Sequence, residues 1–148
     1  MPPLISTPTA LRLLQALSFV WAGLVLGISF LETPVKFTAP TLTRAVGLDV
    51  GRHVFAALNT VEIGLGVLAL GLLLGGGPGP PARWGLGGVL LILVLQTGWL
   101  LPILNRQAET IMQGGEGPAA NYAHLGYIFL EVAKVAGLLV VGWCAAPS

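Results

Sequence analysis

Ala123-His-Leu-Gly-Tyr127-Ile-Phe-Leu-Glu131-Val-Ala-Lys134-Val-Ala-Gly-Leu-Leu-Val-Val-Gly-Trp143 is apolar over about twenty residues, the length that crosses a bilayer. It nevertheless carries Glu131 and Lys134 near its centre. A charge at the middle of a hydrocarbon slab costs roughly 2.5–3.5 kcal/mol on insertion scales, so such residues face partner helices or a wet cavity rather than lipid. Counting along the chain places Glu62 and Gln96 at the same depth in two other apolar segments. The stretch therefore predicts a helical membrane bundle with a polar centre.

The composition agrees. Of the 148 residues 55% are apolar and 9% charged, and the mean hydropathy is +0.86. Soluble domains carry about 25% charged residues. The net charge is +1 and the seven Lys and Arg are scattered, which excludes the basic patch that a nucleic-acid partner requires. Cys144 is the single cysteine, so no internal disulfide forms; at a helix end it is a bystander or an acylation site. No small-x-small cleavage site follows the first apolar stretch, Leu11 to Leu31, which reads as a retained spanning helix.

Met1 to Thr9 holds three prolines and reads as an irregular tail, with Thr7, Pro8 and Thr9 starting the first helix. Gly23-Leu-Val-Leu-Gly27 is a GxxxG arrangement suited to close helix packing. Leu31-Glu-Thr-Pro34-Val-Lys36-Phe37-Thr-Ala-Pro40 predicts a bent re-entrant or interfacial segment, since each proline opposes a straight helix. Thr41 to Val50 then reads as a connector. The second span begins near Gly51 or Arg52 and carries Arg52, Phe55, Asn59, Glu62 and Gly66 on one stripe. Gly75 to Pro81 is a plain turn, and Arg83 and Trp84 mark a membrane boundary. The third span, Gly85 to Leu104, is apolar except for Gln96, and a polar loop runs through Gly114 to Pro118. Asn121 caps the fourth span, which places His124, Tyr127, Glu131 and Lys134 on one face.

The expected fold is all-α: one polytopic, antiparallel four-helix transmembrane bundle with spans at about 11–31, 53–74, 85–104 and 123–143. The first and third spans each end in a proline-containing segment, and the second and fourth each start near a histidine, His53 and His124. That suggests two parallel repeated hairpins. Arg12 and Arg83 lie on one side, against Lys36, Arg44, Arg52 and Arg106 on the other. The positive-inside rule then puts loops one and three in the cytoplasm of a bacterial-type membrane.

Pro34-Val-Lys-Phe37, Val54-Phe55-Ala-Ala-Leu58-Asn59, Pro102 followed by Arg106, and His124 opening the fourth helix together resemble a family of small four-helix membrane proteins. That group looks like transmembrane protein 205, with a more distant likeness to anthrone-oxygenase-like proteins. The resemblance runs from about Trp21 to about Gly137 and implies the same fold. Glu32, Lys36, Glu62, Glu131 and Lys134 lie outside the family pattern, so it implies no catalytic assignment.

Two groups of polar residues are candidates for function. The midplane set is Glu62, Gln96, Glu131 and Lys134, with Asn59 and Tyr127 beside it. It reads either as a hydrogen-bonded network that keeps the helices in register or as a ligand site or proton path. With two carboxylates and one ammonium, Glu62 is the residue expected to titrate. The second set, Glu32, Lys36, Arg52, Arg106 and His124, with His53, Asn59 and Asn105, gathers at the mouth formed by loops one and three. It reads as interfacial histidines in ordinary hydrogen bonds, as a site for an anion or lipid headgroup, or, through His53 and His124, as a metal centre. No HxxH, ExxH or CxxC spacing supports the metal, and no cofactor is specified. The function classes that follow are binding or transport of a small solute, proton or lipid headgroup, an intramembrane oxidoreductase or oxygenase acting on a hydrophobic substrate, and an accessory subunit. The expected partners are the lipid bilayer and a homodimer or larger membrane complex.

Overall fold

The computed structural model describes residues 6–75, 79–117 and 122–146. Four helices account for nearly all of them: α1 (Thr7–Lys36), α2 (Arg44–Leu74), α3 (Pro80–Met112) and α4 (Tyr122–Cys144). Each is long and apolar enough to cross a membrane. Each helix packs on two others, in the ring α1, α2, α3, α4 and back to α1, so short connections give an antiparallel bundle. The side chains are distributed inside out relative to a soluble protein. Glu62, Gln96, Glu131 and Lys134 are buried at 0–1% exposure, whereas Val20, Val67, Leu91, Val94 and Phe129 stand outward at 60% or more. Only a hydrocarbon solvent makes that arrangement favourable, and the chain is a multi-pass membrane protein.

Helix starts follow from local chemistry. Proline occupies the first turn of α1 and of α3, where its missing N–H is not needed. Thr43 caps α2, its hydroxyl accepting from Val46 N–H at 3.3 Å. This cap moves the start of α2 to Arg44, so most of the expected Thr41–Val50 connector is helix. Gly114, at φ +84°, ends α3 in the left-handed region, and the Gly115 N–H reaches back to the Thr110 carbonyl at 2.9 Å. The expected cap Asn121, the tail Met1 to Ile5, residues 76–78 of the glycine turn and Pro118 lie outside the described residues.

The proline segments differ from expectation. No re-entrant bend follows Phe30, because α1 continues through Pro34 to Lys36. Leu26–Glu32 is wound as a π-helix, and both the Thr33 N–H and the Thr33 hydroxyl bond the Ile28 carbonyl five residues back. The wider turn gives the Pro34 ring the room that an α-turn denies it. The same device recurs in α3, where Gln96–Leu100 is π-helical, Leu101 N–H bonds the Gln96 carbonyl, and Pro102 follows. Thus α3 runs on to Met112 instead of stopping at Leu104. At 1.5 Å per residue, the 30 to 33 residues of α1, α2 and α3 are longer than a hydrocarbon core of about 30 Å, so their mouth-side ends project from it.

Packing between helices relies on small residues, as expected where lipid is as apolar as leucine. A Cβ on Gly137 would meet Val89 Cγ2 at 2.9 Å, and one on Gly85 would meet Val141 Cγ2 at 2.9 Å, so α3 and α4 approach closely. Gly23 and Gly27 make no such approach: nothing lies within 4 Å of either Cβ position, and α1 instead packs through Trp21, Ala22 and Val25. Along the axis the interior is layered. At the loop-two end Leu14, Ala69, Ala82, Leu86 and Val141 form one apolar tier. Trp21, Val25, Val89, Leu93 and Leu138 form the next, and the buried polar residues follow.

Candidate functional site

Lys134 is the centre of the polar layer. Its Nζ donates to Glu131 Oε1 at 2.8 Å and Gln96 Oε1 at 2.8 Å, and pairs with Glu62 Oε1. Three N–H groups therefore meet three acceptors, two of them on other helices. The acceptors are held in turn. Gln96 Nε2 donates to Glu131 Oε1 at 2.8 Å, Ser29 Oγ donates to Glu131 Oε2 at 3.1 Å, and Trp21 Nε1 donates to Glu62 Oε1 at 2.8 Å. The four midplane residues named by depth counting are thus brought together. Trp21 and Ser29 are additions that the sequence reading missed. Asn59 stands apart: its side-chain oxygen accepts from Thr97 Oγ1 at 2.6 Å, tying α2 to α3.

Tyr127 leads from this layer to the mouth. It is 5% exposed, packs edge-on against Phe55 with centroids 5.6 Å apart, and its phenol interacts with the Glu131 carboxylate one turn along α4. Above Tyr127 opens a cavity of about 150 Å³ between the projecting helix ends. Phe37, Gly51, Phe55, Leu101, Leu104 and Ala108 supply much of its apolar wall, and Lys36, Arg52, Asn105, Gln107 and His124 its polar edge.

The two cations that line the cavity are already matched. Lys36, 12% exposed, pairs with Glu32 at 3.3 Å and lies 5.6 Å from the Phe37 centroid and 6.0 Å from that of Phe55. Its fit depends on Gly51, where a Cβ would come within 3.2 Å of the Lys36 ammonium nitrogen. Arg52 pairs with Asp49 at 2.8 Å and with Glu109 across to α3 at 3.3 Å. Arg106 is exposed and lines no part of the cavity, and Glu32 is joined to it through Lys36 and Thr33. Of the three cations expected at an anion site, the cavity brings Lys36 and Arg52 together and leaves Arg106 outside. His53 is turned outward, its Nδ1 2.8 Å from the Asp49 carbonyl, while His124 lines the cavity. Among the described residues no three His, Cys, Asp or Glu gather as a metal site.

Gln107 is the residue of the mouth that the sequence reading passed over. Its side chain lines the cavity, and its Oε1 is buried without a hydrogen-bond donor, the one such side-chain atom among the described residues. The signal in the sequence was faint, for a glutamine past Pro102 reads as loop once the helix is thought to end there.

No match to this chain is found among protein families, characterised proteins or solved structures.

Proposed function

We propose that this integral membrane protein binds a small, largely apolar molecule in the mouth cavity and does not conduct through its own bundle. The observation that carries the reading is the cavity itself, sealed below by Tyr127 and by a polar layer whose principal donors and acceptors are paired. An apolar cavity of about 150 Å³ accommodates a benzene-sized molecule. The larger space towards the loop-two half, an apolar groove of about 450 Å³ between α2 and α3 lined by Gly66, Val67, Leu70 and Leu90, opens on the outer face of the bundle and offers none of the polar edge found at the mouth. In this reading the midplane charges hold the helices in register and fix the cavity floor. The likeness to the transmembrane protein 205 group belongs to the same proposal and adds a fold without a chemistry. The protein is placed in a cytoplasmic membrane with loops one and three inside, on the charge count.

The test is fluorine NMR of 4-fluorotoluene with the protein in mild detergent. Binding should broaden and shift the probe signal, and Ala108→Phe, which fills the cavity from its buried wall, should weaken binding at least about tenfold. Equal binding by both proteins would remove the cavity from the function.

A further inference from the structure

The groove between α2 and α3 lies on a face of the bundle that meets the hydrocarbon, with Val67 and Val94 at its rims, 65% and 66% exposed. Gly98 also lines it, and nothing lies within 4 Å of a Cβ placed there, so α3 presents bare backbone to whatever enters. Aliphatic walls alone would accept any acyl chain. The end nearest the polar layer is different. Thr97 closes the groove there and bonds Asn59, which stands one turn before Ile63 on the same face of α2. Asn59 is three residues from Glu62, about 4.5 Å along the helix axis, and so lies within the hydrocarbon. Its carboxamide is half-buried and spends its oxygen on Thr97 Oγ1, while among the described residues nothing accepts from its N–H groups. The bilayer core has no water to supply that acceptor, and an alkyl chain has none to give, so the occupant must bring a polar group at this depth.

A second copy of the chain brings that group. Two copies inserted in the same direction are related by a two-fold axis along the membrane normal, which sets equal residues at equal depth. A carboxamide both donates and accepts, and its oxygen keeps a second lone pair beside the one given to Thr97, so Asn59 is complementary to itself across such an axis. We infer that two copies of this chain associate through the groove between α2 and α3, with their Asn59 carboxamides hydrogen-bonded to each other and aliphatic side chains of each copy packed into the groove of the other. The inference does not depend on the mouth cavity, which opens between helix ends and not on this face.

Cys144 is exposed and is the single cysteine, so each copy takes one dye. In phospholipid vesicles holding a mixture of donor- and acceptor-labelled protein, energy transfer should fall on lipid dilution along a monomer–dimer isotherm, and single-molecule photobleaching should show no more than two steps. Asn59→Leu should weaken association about tenfold, the joint worth of two symmetry-related hydrogen bonds in a membrane, and Gly98→Leu, which fills the groove, should weaken it at least as much. Both leave the protomer intact, because Thr97 keeps the Leu93 carbonyl at 2.7 Å as acceptor and a side chain at position 98 enters open space. Unchanged helix content by circular dichroism checks this. Phe129→Leu, on the outward face of α4, should leave association as it was. A protein that stays monomeric at every dilution, whether its groove is empty or holds a phospholipid in native mass spectrometry, overturns the inference. So does a dimer that survives either Asn59→Leu or Gly98→Leu.

Discussion

Lys134 is fully enclosed, with its three donors directed at Glu62 on α2, Gln96 on α3 and Glu131 on its own helix. Removing one member of such a cluster leaves charge buried without a counter-charge, a loss of about 3–5 kcal/mol, while replacing all members with neutral groups of similar shape is far less costly. Lys134→Met should therefore lower the melting temperature sharply in mild detergent. The triple variant Lys134→Met, Glu62→Gln, Glu131→Gln should recover most of it and retain 4-fluorotoluene binding. If the triple variant folds well but binds nothing, the charges act on the ligand and not only on the helices. Trp21→Phe tests the edge of the network, and loss of its charge-assisted hydrogen bond should cost about 1.5–3 kcal/mol in the same assay. At this scale the sequence was informative for ionisable groups, because each stands out against an apolar run and its depth can be counted. Trp21 and Ser29 carried no such mark, since an indole or a hydroxyl is unremarkable in a spanning helix.

Pro34 and Pro102 show how an element can be misread when its residues are read correctly. Proline opposes the α-helix by its ring and its missing N–H, so sequence alone predicts an end or a bend at both. Each instead follows a π-helical turn that relieves the clash, at Leu26–Glu32 and at Gln96–Leu100, and the helix proceeds. The repeat of this device in the first and third helices, with a buried glutamate in each of the helices that follow, strengthens the internal resemblance of the two hairpins. A π-turn is in effect one residue inserted into an α-helix. Deleting Leu31, which faces outward at 64% exposure, should restore α-helical winding and set the Pro34 ring against the preceding turn at a cost of about 3 kcal/mol. Adding Pro34→Ala to the deletion should return the melting temperature towards that of the parent. If the deletion alone is harmless, the wide turn has some cause other than the proline. The extension of α2 back to Arg44 was legible in principle, for Thr43 is a good cap, but Pro40 and the polar Thr41–Val50 text outweighed it.

Across the whole molecule the layers have unequal permeability. Along the bundle axis from the loop-two end there are two tiers of packed aliphatic and aromatic side chains, then a cluster satisfied by its own members, then Tyr127, and above it a cavity, while a wider groove opens sideways between α2 and α3. The four spans and their antiparallel order were legible because length and hydropathy alone determine them once the solvent is hydrocarbon. The asymmetry along the bundle axis, a packed interior at one end and a cavity between helix ends at the other, was not, because it depends on which helix ends converge and hence on the unexpected run of α1 and α3 past their prolines. That asymmetry separates binding from transport. A proton crossing the bundle would have to leave the Glu62, Glu131 and Lys134 cluster through the tier of Trp21, Val25, Val89, Leu93 and Leu138, which offers no acceptor beyond the Trp21–Glu62 bond. Proteoliposomes loaded with a pH-sensitive dye and given an imposed proton gradient should therefore dissipate it no faster than protein-free vesicles, at any protein-to-lipid ratio. A flux that rises in proportion to protein would mean that the packed half opens. One that rises more steeply than proportionally would mean that the path lies between copies of the chain, and either result would replace a binding protein with a conducting one.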